Sequence, residues 1–112
     1  MLKQPPRISA LNSYFDYRGK SQVKDYLKSY PALIVFLQDS YKYLVKIFGQ
    51  TTRYVLELAT DPEHDHQTLF VYIRTPLSVG EAQARLDAFD DQWFLDHVDE
   101  IGDRLNFNLE IV

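Results

Sequence analysis

The spacing of apolar side chains in the first half of the chain predicts two consecutive helices. From Val23 onward these side chains follow the i, i+3, i+4, i+7 spacing of an amphipathic helix, and Ser21 is placed to cap its first turn. Pro31 then interrupts the pattern, because proline has no amide hydrogen for a helix interior but fits the first turn of a new helix. The pattern therefore predicts one helix over residues 21–29 and a second over residues 31–48.

The second of these segments also contains a short alternating pattern that is typical of a strand. Every other residue from Tyr41 to Ile47 is apolar, but a strand would leave Leu44 and Phe48 on the same face as the lysines. At about 100° per residue nearly all apolar side chains fall on one side instead. The helix therefore fits better, and Gly49 follows it as a C-terminal stop signal.

Two later segments alternate with period two, which predicts β-strands over residues 53–60 and 68–75. The polar residues between them predict a hairpin loop. In each strand one face is strongly apolar and suits a core, while Val55, Phe70 and Tyr72 lie on the opposite face. If helices cover one face of the sheet only, this second face is a partly apolar surface and a candidate dimer interface.

Ser78 and Glu81 form a capping box at the start of the most sharply defined helix. Its apolar stripe then shifts by about 100° after Trp93, so one straight helix cannot bury the whole stripe. We therefore expect a helix over residues 78–94 and a bend, or a second short helix, over residues 96–104. The two stripes are Ala82, Leu86, Phe89 and Trp93, then Phe94, Val98, Ile101 and Leu105.

The end of the chain alternates again and predicts a strand over residues 106–112. Its inward side chains are expected to be Phe107, Leu109 and Ile111. Together the elements predict an α+β fold with a small three-stranded mixed sheet and helices mainly on one face. The length of 112 residues predicts a single domain over 1–112, with residues 1–7 as a loose N-terminal arm.

Charge divides the chain into two halves of opposite sign. Residues 1–50 hold eight Lys or Arg against three acids, and residues 51–112 hold four Arg against thirteen acids. Such an asymmetry favours an oppositely charged surface in the same fold, in a second copy or in a partner. The helical patterns concentrate it in two stripes: Lys20, Lys24 and Lys28 on the first helix, and Asp87, Asp90 and Asp91 after Ser78.

Composition removes several classes of function and site. The chain has no cysteine, which excludes disulfides, a cysteine nucleophile and a cysteine-ligated zinc site. A pI near 5.2 argues against a dedicated nucleic-acid binder. No Walker loop, dinucleotide fingerprint or G-x-S-x-G elbow occurs in the sequence. The N-terminus has no apolar signal segment and the longest apolar run, Tyr30–Leu37, is too short to span a bilayer, so we expect a cytoplasmic protein.

Two weaker patterns leave alternative functions open. His64 and His66, flanked by carboxylates in residues 61–66, suggest a metal-binding or metal-dependent hydrolase module, although a catalytic zinc site needs a third protein ligand. The basic stripe in residues 18–28 could follow phosphates and bind nucleic acid, which the acidic whole makes unlikely. We assign no catalytic, metal or cofactor residues.

Several short motifs between residues 54 and 94 resemble those of a group of small bacterial proteins to which no activity is assigned. The resemblance implies a bacterial, cytoplasmic origin and no particular site. The basic N-terminal third lies outside it. The motifs are Leu56-Glu57-Leu58, Asp61-Pro62-Glu63, Leu69 to Thr75, Glu81-Ala82, and Phe89-Asp90-Asp91 with Trp93.

The sequence thus favours a small non-enzymatic interaction protein that associates with itself or binds a protein partner. Charge asymmetry, the 14% aromatic content and the half-apolar outer sheet face carry this hypothesis. The candidate partner-binding residues are Val55, Phe70, Tyr72, Asp87, Asp90 and Asp91.

Overall fold

A four-stranded mixed sheet with helices on one face forms the fold in the computed structural model, which describes residues 7–112. The first and second strands are parallel, the second and third antiparallel, and the third and fourth parallel. In spatial as in chain order the strands are β1 (Asp16–Arg18), β2 (Arg53–Asp61), β3 (His66–Thr75) and β4 (Leu105–Ile111). The predicted α+β class is confirmed, whereas the prediction of three strands is wrong because it omitted β1.

The first two α-helices begin and end within two residues of their predicted positions. After a 3₁₀ turn (Ile8–Leu11) come α1 (Lys20–Ser29) and α2 (Ala32–Phe48). The predicted cap of α1 is wrong: Gly19, not Ser21, precedes the helix, with φ of 66°. Glycine reaches this left-handed conformation without steric cost, and the chain needs it to turn from β1 directly into α1. The predicted arm over 1–7 lies almost wholly outside the described residues.

The core lies between the helices and the inner face of the sheet. Alternate residues of the strands point inward and are buried with one face of each helix. On the strands these residues include Tyr54, Leu56, Leu69, Val71, Ile73, Leu105 and Phe107. Ile111 belongs to the same inward set, but it remains 44% exposed because β4 ends there.

A π-helical turn explains the shift of the apolar stripe in the C-terminal helix. The Ser78 hydroxyl accepts a hydrogen bond from the Glu81 amide at 3.3 Å, so the predicted cap is confirmed. The helix continues as α3 (Val79–Phe89), a π turn (Asp90–Phe94) and α4 (Leu95–Ile101). A π turn inserts about one extra residue and so rotates all later side chains by about 100°. Both stripes therefore face the same core without a sharp break. The second helix ends at Ile101 rather than at the predicted residue 104, because Gly102 terminates it with a positive φ, and Leu105 of the second stripe lies on β4.

The long apolar segments of this chain serve the core. Within residues 7–112, no helix has the combined length and apolar character that a bilayer crossing requires.

Candidate functional site

The open face of the sheet brings together three of the candidate partner-binding residues. Val55 on β2 lies directly opposite Tyr72 on β3, and Phe70 lies two residues before Tyr72 on the same face. The rings of Phe70 and Tyr72 stack with their centroids 5.7 Å apart and their planes inclined by 23°. Val55 is only 5% exposed, while the two aromatic side chains are half-buried. The result is an aromatic patch on the face of the sheet away from the helices of residues 7–112.

A carboxylate from β4 links arginines from two other strands, and its bond to Arg18 of the opposite edge strand passes across this patch. The two terminal nitrogens of Arg18 donate to the two carboxylate oxygens of Glu110 at 2.7 and 2.6 Å. This hydrogen bonding lowers the pKa of Glu110 and raises the pKa of Arg18. The guanidinium of Arg18 also lies 5.6 Å from the centre of the Tyr72 ring, a cation–π distance. Bidentate pairing of this kind fixes geometry as well as charge.

Arg74 completes this charged group from β3. Its Nε lies 2.9 Å from Oε1 of Glu110, but the N–H is not aligned with that oxygen and makes no hydrogen bond within the described part of the chain. Glu57 lies 4.0 Å from Arg18, and Arg53 pairs with Asp16 at 3.4 Å at another corner of the same face.

Around the patch, three arginines accompany three carboxylates, so the charges there balance, although the chain carries a net charge of −4. Asp61 lies on the same face at the far end of β2, opposite His66. We call Val55, Phe70 and Tyr72 the aromatic patch. We call the charged residues around them the charged border, which consists of Arg18, Arg53, Arg74, Asp16, Glu57 and Glu110.

The three candidate aspartates lie elsewhere. Asp87 lies in the last turn of α3, where its carboxylate accepts a hydrogen bond from the side-chain amide of Gln83 at 3.0 Å, and Asp90 and Asp91 begin the π turn. Burial raises the pKa of Asp90, and the charges of Asp87 and Asp91 raise it further. These residues belong to the helical layer, on the opposite side of the sheet from the aromatic patch. One flat partner surface cannot cover both groups.

The lysine stripe on α1 does not pair with these aspartates. Across residues 7–112 no ion pair joins Lys20, Lys24 or Lys28 to an acidic side chain within 4.0 Å. Lys20 instead places its ammonium 5.0 Å from the centre of the Tyr17 ring. The charge asymmetry between the two halves of the chain is therefore not cancelled between these two helices.

The two candidate metal ligands, His64 and His66, each contact a different carboxylate. His64 Nδ1 lies 2.8 Å from Asp61, and this contact lowers the pKa of Asp61. His66 Nε2 lies 3.3 Å from Asp103. In the described part of the chain, no three His, Asp or Glu side chains converge as a metal site would require. The metal and nucleic-acid functions remain predictions.

The residues at the centre of the charged border were not among the candidate site residues predicted from the sequence. Arg18 lies on the omitted strand β1, and Glu110 was not singled out on β4. The only available signal for β1 is the alternation of polar, aromatic and polar residues in Asp16-Tyr17-Arg18, which is too short to separate from chance.

Comparison of this chain with models of known families, with curated proteins and with solved structures finds no match. The resemblance of residues 54–94 to small bacterial proteins thus remains a prediction.

Proposed function

We propose that this protein is a non-enzymatic interaction module that associates with a second copy of itself through the open face of its sheet. The observation that carries the proposal is the aromatic patch inside a charged border of balanced sign. In an isologous dimer the patch of one copy packs on the same patch of the other, and a border whose opposite charges are already paired within each copy adds no net repulsion between the copies. A face of single sign would repel its copy.

The size of this face sets the expected affinity. Three strand spacings of about 4.8 Å and about seven residues of about 3.3 Å give a projected area on the order of 300–350 Å². A stable dimer usually buries about 800 Å² on each partner. We therefore expect a weak, reversible dimer rather than a permanent one.

Sedimentation equilibrium over a concentration series tests this proposal. The wild type should show a rising average mass with concentration, whereas Phe70→Thr with Tyr72→Thr should remain a monomer because the patch is lost. Threonine keeps the β-propensity of both positions. Tyr14→Thr is the matched control, since it removes an aromatic side chain that is 42% exposed but lies outside the sheet.

The salt dependence separates the patch from the charged helical stripes. Because the charged border is balanced and its pairs already form within one copy, association should change little between about 0.1 and about 1 M NaCl. Contact between the lysine stripe and the aspartate stripe of another copy should weaken steeply instead. A monomeric wild type at the highest concentration, or loss of the dimer in Tyr14→Thr alone, would contradict the proposal.

The wider setting of this function remains part of the proposal. We place such a module in a bacterial cytoplasm, on the basis of the motif resemblance and the cysteine-free, acidic composition of the chain.

A further inference from the structure

Strand β4 forms one edge of the sheet, and its backbone bonding shows which amides point outward. The Leu69 amide donates to the Arg104 carbonyl at 2.9 Å at one end, and the Val112 amide donates to the Thr75 carbonyl at 3.0 Å at the other. Bonding groups of a parallel ladder alternate along each strand. Even-numbered residues of β4 therefore bond to β3, and the amides of Phe107 and Leu109 point away from the sheet.

Two asparagine side chains accept hydrogen bonds from these outward-pointing amides. The side-chain oxygen of Asn106 accepts a hydrogen bond from the Phe107 amide at 2.8 Å. The side-chain oxygen of Asn108 accepts one from the Leu109 amide at 2.9 Å. Both asparagines are exposed, so the core does not require them. Asparagine is also disfavoured in strands, which makes its repetition at alternate positions of a seven-residue strand unusual.

We infer that Asn106 and Asn108 hold the β4 edge closed against the addition of another strand. An unpaired strand edge offers its amides and carbonyls to any extended chain, which leads to edge-to-edge dimers and aggregation. Here the outward donors at the middle of the edge are already bonded to local side chains, and a new strand must displace them first. The opposite edge strand, β1, is only three residues long and offers little to pair with.

This inference is independent of the proposed dimer. It concerns the β4 edge, where the asparagines oppose pairing with another strand, whereas the proposed dimer forms through the open face. The partner that would add to the uncapped edge is a second β4, since two such strands can pair antiparallel about a two-fold axis.

The test replaces the caps and measures association and amide exchange together. Asn106→Ala with Asn108→Ala should strengthen self-association about tenfold or more over the wild type, because two occupied donors become free. Asn106→Asp with Asn108→Asp keeps a side-chain acceptor at both positions and should not strengthen association. At concentrations that keep the alanine variant monomeric, its Phe107 and Leu109 amides should exchange faster than those of the wild type.

The face variant separates this result from the proposed function. Adding Phe70→Thr and Tyr72→Thr to the alanine variant should leave the new edge association intact, although the same changes abolish association through the face. Unchanged association and unchanged exchange at Phe107 and Leu109 in the alanine variant would overturn the inference. Amide exchange of the wild type is a separate test. Fast exchange of the Phe107 and Leu109 amides would also overturn the inference.

Discussion

The hydroxyl of Tyr54 joins the sheet to the end of a helix, and its removal should have a measurable cost. Tyr54 is 2% exposed, and its oxygen lies 3.0 Å from the Leu44 carbonyl and 2.9 Å from the Gly49 carbonyl, at the end of α2. In Tyr54→Phe the Gly49 carbonyl loses this partner. A buried hydrogen bond of this kind contributes about 1–2 kcal/mol to the free energy of unfolding, so we expect a loss of about 1.5 kcal/mol near pH 7.

The same hydroxyl should make the stability cost of Tyr54→Phe depend on pH in the alkaline range. Burial raises the pKa of Tyr54 well above its ordinary value of 10.0, and the neighbouring Tyr41 raises it further. The unfolded chain therefore loses this proton first, so the stabilising effect is complete below about pH 10 and falls as the pH rises above it. At about pH 11 this linkage should lower the free energy of unfolding of the wild type by on the order of 1 kcal/mol, and it is absent from Tyr54→Phe. The difference in stability between the two proteins should therefore be clearly smaller there than near pH 7.

Urea unfolding followed by the fluorescence of the single tryptophan, Trp93, measures the free energy of unfolding of the wild type and of Tyr54→Phe across the pH series. Tyr14→Phe is the matched control, because it removes the hydroxyl of an exposed tyrosine and should stay within about 0.5 kcal/mol of the wild type. Two results would refute the reasoning: a Tyr54→Phe cost below about 0.5 kcal/mol near pH 7, or a cost that stays constant up to about pH 11.

Two further predictions concern the C-terminal helix. Ser78→Ala removes the helix cap and should cost about 1 kcal/mol in urea unfolding, whereas Ser78→Asp, which keeps an acceptor for the Glu81 amide, should retain most of it. Deletion of the exposed Gln92 should remove the π turn and merge both apolar stripes into one regular α-helix, so circular dichroism should show a folded protein. Deletion of Ala84 in α3 rotates the second stripe away from the core and should unfold the chain; equal behaviour of the two deletions would contradict this explanation.

Local signals in the sequence were sufficient for the helices and for the long strands. The Ser78 cap and the period of the strands that contain Leu56 and Val71 depend on neighbouring residues only, and the structure confirms them. Even the shift after Trp93 was visible as a change of phase. Its cause was not, because a bend, a break and a π turn all produce the same shift in a one-dimensional pattern.

Strand β1 was missed for a different reason. Three residues give no measurable period, and Asp16 to Arg18 become a strand only because β2 is present to pair with them. The bond from Arg18 to Glu110 spans 92 positions of the chain, and no spacing rule reaches that far. The centre of the charged border therefore depends on tertiary structure in a way that the aromatic patch does not.

The position of β1 also changes the meaning of the charge asymmetry. The sequence left open whether the two helical stripes face each other or point outward. Across residues 7–112 the ion pairs that join the two halves of the chain lie on the sheet: Arg18 with Glu110 and Glu57, and Asp16 with Arg53. A three-residue parallel strand has few backbone bonds of its own. Its two charged side chains each meet an opposite charge from the second half of the chain, so these ion pairs help hold β1 in register. On the helical stripes, Lys20, Lys28, Asp87 and Asp91 are exposed, and exposed charge of this kind steers other molecules toward or away from a protein rather than stabilising its fold.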